Sequence, residues 1–201
     1  MKRSIYFIFI MAWSVLAFSQ VPSDIPSGTT ADSNWIPLGL YGGNISGMVF
    51  NQSNKNEICV VAAGYPSQVF RSTDAGQTWN PVGTVSNYAY AMANDPTNAN
   101  NIYILYWSGI YKSTDGGANW TVRNFPNNCY GYSGKIIVSP ANPSTIYASG
   151  YYMYDTSSYR YRMAVFRSTD AGENWAVKQL NSASSSYGYV YSLAVDPTNA
   201  N

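Results

Sequence analysis

Ten carboxylates and not one histidine set the outer limits of the chemistry open to this 201-residue chain. Without histidine there is no usual base for a nucleophilic serine or cysteine, and the commonest metal ligand is missing. The reaction class left open is glycosidic bond cleavage between two carboxyl groups, one acting as acid and the other as base or nucleophile. Nearly every acid has another assignment, however. Asp74, Asp115 and Asp170 occupy the same place in three copies of a Ser-x-Asp-x-Gly-x-x-Trp motif, with Glu173 inside the third copy. Asp95 and Asp196 each open an Asp-Pro-Thr-Asn turn, Asp24 and Asp32 fall in a Pro/Ser/Thr-rich segment, and Glu57 precedes an apolar run. Asp155 alone is unassigned, and it is the one catalytic candidate, set against a plain solvated loop aspartate. No metal site and no cofactor is expected.

The elements that must position these side chains come from an internal repeat. The three motif copies are Ser72/Asp74/Gly76/Trp79, Ser113/Asp115/Gly117/Trp120 and Ser168/Asp170/Gly172/Trp175, each preceded by an aromatic and a basic residue. Out of phase with them runs a turn signal at Asn51, Asp95, Ser139 and Asp196, whose intervals are 44, 44 and 57 residues. The longer last interval places an insertion of about 13 residues at 151–162. Each unit reads as four short strands rich in Tyr, Val, Ile and Trp; in the second unit these are about 88–94, 101–107, 109–113 and 119–123. No stretch carries a convincing helical period. The fold class is therefore all-β, a propeller of four-stranded antiparallel blades. In the hairpin between third and fourth strands, the Asp accepts backbone N–H groups, the Gly supplies a positive φ, and the Trp covers the hairpin and packs on the blade edge. On this reading the three aspartates are scaffolding.

The motif spacing and the recurrent Asp-Pro-x-Asn turn followed by Ile-Tyr resemble the BNR/Asp-box propeller superfamily, which includes sialidases, xyloglucan-cleaving endoglucanases and sortilin. The resemblance covers about residues 35–201 and is specific for fold, not for activity. Sialidases hold a carboxylate with three arginines from separate blades. Here Arg71, Lys112 and Arg167 share one motif-flanking position, which argues for structure, and Arg123, Arg160 and Arg162 do not supply such a set. The resemblance to xyloglucan-cleaving enzymes implies a catalytic aspartate just after the second strand of a blade. That position falls on Ala63 in the first unit and near Trp107 in the second, neither of which can transfer a proton. In the third unit the enlarged loop holds Asp155 without the rest of the element.

Tyrosine, with 19 copies, carries the stronger functional signal. Tyr88, Tyr132 and Tyr189 each stand seven residues before a turn start, ahead of the innermost strand, with Tyr90, Tyr130, Tyr187 and Tyr191 close by. Family geometry opens the loops between second and third strands on the same face, which adds Trp107 and the inserted Tyr151, Tyr152, Tyr154, Tyr159 and Tyr161. Such rings stack on sugars and anchor protein partners. The alternative is packing between blades. The expected partner is a polysaccharide, another glycan or a protein.

Composition bounds the rest. A net charge of +1 with 10% charged residues gives no field for nucleic acid. Lys2 and Arg3, an apolar run and Ala17-Phe18-Ser19 mark residues 1–19 as a signal peptide, followed by a linker at 20–34 and the propeller segment at 35–201. Export to the extracellular space or cell surface is expected, the periplasm being a further possibility, with no membrane insertion after cleavage. Cys59 and Cys129 could form one bridge, against two unpaired thiols with Cys59 filling core and Cys129 in a polar loop. Residues 34–39 copy a fourth strand, and 189–201 copy a first strand and turn. About three full blades and two partial ones fall short of a ring, so a longer parent protein is expected.

Overall fold

A computed structural model describes residues 44–180 and 190–199. The expected signal peptide, the linker, the fourth-strand copy at 34–39 and Tyr189 lie outside the described residues. Thirteen strands and no helix make up what is described. The first sheet joins β1 (Asn44–Phe50), β2 (Ile58–Ala63), β3 (Ser67–Ser72) and β4 (Asn80–Val85) in sequence order. The second joins β5 (Ala91–Asn94), β6 (Ile102–Tyr106), β7 (Gly109–Ser113) and β8 (Thr121–Asn124) in the same way. The third is built from β10 (Ile136–Val138), β11 (Ile146–Asp155), β12 (Arg160–Ser168) and β13 (Ala176–Gln179), with β9 (Cys129–Tyr130) added along β11. All pairings are antiparallel.

Two cores sit between the three blades, and β6 shows how one strand serves both. Its five residues, Ile-Tyr-Ile-Leu-Tyr, are all buried. Successive side chains of a strand point to opposite faces. Ile102, Ile104 and Tyr106 therefore join Val49, Cys59, Val61, Val69 and Val85 of the first blade, whereas Tyr103 and Leu105 join Ile136, Val138, Ile146, Ala148 and Phe166 of the third. Each fully buried aliphatic or aromatic side chain contributes on the order of 1.5–3 kcal/mol. A continuous apolar run at this position is what a strand covered on both faces requires.

The motif hairpins tie each blade to itself and, in the second and third copies, to the blade before it. In the second copy, the Ser113 hydroxyl donates to Asp115 Oδ1 at 2.8 Å and accepts the Gly117 N–H at 2.9 Å. Asp115 accepts the Asn119 backbone N–H at 2.9 Å, and the other two copies repeat this pattern. Gly76, Gly117 and Gly172 have φ of 88°, 97° and 89°. The residue before each glycine is also at positive φ and sends its N–H to the carbonyl of Asn56, Asn100 or Ser144, at the end of the turn between that blade's first and second strands. The two out-of-phase sequence signals thus meet at one end of every blade. Replacing Ser113, 1% exposed, by Ala orphans the buried Gly117 N–H. We expect a loss of about 1–3 kcal/mol, read from urea midpoints; a change below the error of such a titration would discount this bond.

Four expectations need correction. Trp120 and Trp175 do not simply cap their own blades. The Trp120 indole lies against Val82 and Gly83 of the preceding blade, and Trp175 meets Phe125 of the preceding blade edge-on at 5.0 Å. A hairpin has too little apolar surface to shield an indole, and the neighbouring sheet supplies it. Trp79, expected to pack into the blade edge like its two counterparts, is instead half-buried and belongs to neither core. The insertion extends the β11–β12 hairpin rather than forming a loop, because Tyr151, Tyr152 and Met153 pair in register with Met163, Arg162 and Tyr161, and the register breaks only at Tyr154. Cys129 lies in strand β9, not in a polar loop, and is 3% exposed. Cys59 and Cys129 are free and belong to different cores, so no bridge joins them. Burial pushes their thiols up to about 12 and about 11.

Segment 190–199 carries the turn, with the Thr198 N–H on Asp196 Oδ1 at 2.8 Å, but no strand ladder.

Candidate functional site

Antiparallel connectivity sorts the chemistry between the two ends of the blades. The turn after each first strand and the Ser/Asp/Gly/Trp hairpin after each third strand lie at one end; the loops after the second strands and the links between blades lie at the other. Except for Asp155, every described carboxylate belongs to the first end, and the tyrosine-rich segments belong to the second.

At the second end, aromatic rings form a row across all three blades. Tyr65 contacts Tyr88 at 5.7 Å between centroids, Tyr88 contacts Tyr90 at 5.3 Å, and Tyr90 contacts Tyr132 at 5.4 Å. Tyr132 then contacts Trp107 at 5.8 Å, Trp107 contacts Tyr130 at 5.0 Å, and Tyr130 contacts Tyr161 at 5.9 Å. Tyr65, Trp107 and Tyr132 are 77%, 46% and 46% exposed. Offset and edge contacts of this kind fix ring orientation. Tyr90 is held as a neutral phenol, pushed up to about 12 by burial and then by Tyr65, Tyr132 and Tyr88.

Beneath one stretch of the row lies a cleft of about 610 Å³, lined by Asn44, Tyr65, Tyr88, Tyr90, Tyr132 and Lys135 among others. Asn44 is the first unit's counterpart of Tyr88 and Tyr132, seven residues before its turn, and its amide donates to the Tyr88 hydroxyl at 2.8 Å. Sequence reasoning missed Tyr65. An aromatic in the same inter-strand loop as Trp107 was the available signal.

The insertion is divided by strand alternation. Tyr161 joins the row through Tyr130. Tyr151 is only 9% exposed and packs on Tyr161, so it does not present a free face. Tyr152, paired with Cys129, packs instead against the core between the second and third blades. Tyr154 stands at a register break, its ring under the Arg162 guanidinium at 4.3 Å. Tyr159, at φ 51° and 69% exposed, stands at the hairpin tip away from the row. The inserted tyrosines therefore do not share one face of the hairpin.

Every carboxylate among the described residues is shifted below its ordinary value. Asp155 accepts the N–H groups of Ser157 and Ser158 at 3.0 and 3.1 Å, and these bonds lower its pKa. It caps the hairpin tip, whereas a general acid needs a raised pKa. Side-chain bonds from Asn51 and then Arg71 lower Glu57, and bonds from Arg123 and then Lys112 lower Glu173. Burial raises Asp95 but is outweighed by its Thr97 and Asn101 bonds, and Thr198 lowers Asp196. Asp74, Asp115 and Asp170 are lowered to about 2, by Thr78, Asn119 and Asn174 respectively.

A pH dependence follows with a definite sign. Groups whose folded pKa lies below the unfolded value stabilise above the unfolded value, and that contribution is lost as pH falls through the folded pKa. The ordinary values here are 3.8 and 4.5, and the lowest folded values are about 2. Melting temperature should fall steadily from about pH 4.5 to 2. It should stay flat from pH 5 to 8, where no histidine titrates and both thiols remain protonated. A transition near pH 6.5 in a melting series would contradict this.

The sortilin-Vps10 family model, described as sortilin and neurotensin receptor 3, matches residues 67–198. The chain belongs to this family. Sortilin-Vps10 membership places it in the BNR/Asp-box propeller superfamily, in agreement with the repeat and the blades. A xyloglucanase from Paenibacillus sp. is 24% identical over 192 residues, covering 84% of this chain and 18% of that protein. An ancestral GH74 enzyme is 26% identical with a TM-score of 0.53, over 68% of this chain and 20% of that one. The GH74 enzyme of Niastella koreensis shares the fold at 20% identity and a TM-score of 0.52, over 67% of this chain and 22% of its own. The chain thus spans about a fifth of the length of these relatives and is a glycoside-hydrolase-related propeller segment.

Proposed function

We propose that this is a secreted propeller segment that binds glycan through its aromatic row, and that it does not itself cleave the chain it holds. The single observation carrying this reading is the unbroken series of ring contacts from Tyr65 to Tyr161. Several exposed ring faces, with Asn44 and Ser133 beside them in the cleft, suit the apolar faces and hydroxyls of successive sugars. The described carboxylates stand at the other blade end, cap the hairpin tip or sit in ion pairs, which supports holding over cleavage. The secretory leader read at residues 1–19 gives the protein access to extracellular polysaccharide.

A second reading is favoured by the similarity to the Paenibacillus xyloglucanase and the GH74 enzymes: the segment belongs to an extracellular glycoside hydrolase whose catalytic acids lie outside these blades. A glycan and peptide array with the full-length protein, followed by product analysis on any polysaccharide bound, tests both. Binding without release of reducing ends supports the first reading and cleavage supports the second. Exclusive capture of peptides overturns both.

A further inference from the structure

We infer that the cleft beneath the row selects acidic sugars, with Lys135 as the residue that reads the charge; this deepens the binding role proposed above and rests on it. Five tyrosines, two serines, Asn44 and the apolar Ala89 and Val190 line the cleft together with a single charged group, Lys135. No carboxylate lines it, and Lys135 forms no ion pair among the described residues. This follows from topology: the repeat commits its acids to the opposite end of the blades, and Asp155 is turned into the tip of its own hairpin.

The position of Lys135 also departs from the repeat. It stands four residues before the turn start at Ser139, where the first two units have Gly47 and Ala91 and the partial last unit has Ser192. A Cβ on Gly47 would collide with that of Met92, and Ala91 is buried. Packing at those two positions has no space for a long side chain. In the third blade the same position faces the cleft, and its backbone N–H is held by the Ser149 hydroxyl at 2.9 Å while its carbonyl accepts the Ser149 N–H. A lysine here has no core duty to perform. An ammonium beside tyrosine faces, hydroxyls and an amide matches a sugar carrying a carboxylate: the ring stacks, the hydroxyls find polar partners, and the carboxylate meets the positive charge. An acidic peptide would meet the same charge but would leave the row of stacking faces largely unused.

The test is titration calorimetry of the full-length protein with galacturonic acid oligomers, with the same oligomers methyl-esterified, with neutral xyloglucan oligosaccharides, and with a glutamate-rich peptide. The free acids should bind about tenfold more tightly than their esters at low salt. The gap should narrow in 0.5 M NaCl, close in Lys135→Gln and persist in Lys135→Arg, all three proteins showing the same melting temperature. Equal affinity for acid and ester, or a gap that survives Lys135→Gln, overturns the charge reading while leaving the glycan-binding role standing. Binding of the peptide but of no saccharide overturns both.

Discussion

Replacing Trp175 by alanine is expected to lower the unfolding free energy by about 3–5 kcal/mol, the usual cost of deleting a large buried aromatic. Trp175 is 9% exposed, donates its indole N–H to the Gly172 carbonyl at 3.1 Å, and meets Phe125 edge-on at 5.0 Å. Phe125 in turn packs on Phe166 at 4.5 Å, so the indole closes an aromatic cluster shared by the second and third blades. Because a domain of ordinary stability holds only about 5–15 kcal/mol, about a fifth or more of the total would be lost at one hairpin. Trp120, only half-buried, should cost less when truncated. A double-mutant cycle between Trp175→Ala and Phe125→Leu should show a coupling of roughly 0.5–1.5 kcal/mol. Denaturant midpoints decide the matter. A cost below about 1 kcal/mol for Trp175→Ala would mean that the motif is a joint within its own blade and not between blades.

The second large effect concerns binding. Trp107→Ala and Tyr132→Ala should each weaken glycan affinity about tenfold or more, a loss of at least ~1.4 kcal/mol. Both rings are nearly half exposed, and they touch at 5.8 Å in the middle of the row. Their shared contact makes the double variant less than additive. Tyr159→Ala, at the hairpin tip, should leave affinity within about twofold, since its ring touches no member of the row among the described residues. Melting curves for each variant separate a lost contact from lost folding. Full affinity in both the Trp107 and Tyr132 variants would remove the row from the site, and a large loss in Tyr159→Ala would move the site onto the hairpin.

The second blade was almost completely legible in the sequence. Its strands fall within three residues of the expected limits, because turn residues and β-branched runs are local signals with local causes. The gathering of Tyr88, Tyr132 and Trp107 was legible too, since equal spacing from a repeated turn puts residues at equivalent points of equivalent blades. The insertion was not. Its length could be counted, but whether Tyr151, Tyr152 and Tyr154 face solvent, core or one another depends on the register of β11 with β12 and β9, a non-local pairing. Cys129 was misplaced for the same reason: its neighbours in sequence are polar, while its neighbours in space are the core of two blades. The motif tryptophans make the point from the other side. Trp120 and Trp175 hold one position in the repeat, yet the first is half-buried against the core between the first two blades and the second is 9% exposed in the core between the second and third.

The sequence by itself determined the architecture, because short-range turn chemistry repeated at fixed intervals leaves a small sheet little choice but to stack beside its copies. It also determined that acids would be scarce for catalysis. Only the tertiary structure decided which ring reaches which, that Trp120 and Trp175 bridge adjacent blades, and that Lys135 stands among tyrosines in a cleft that no carboxylate lines among the described residues. Those facts depend on how three sheets pack face to face, and side-chain surroundings set by packing are not written in any one segment of the chain.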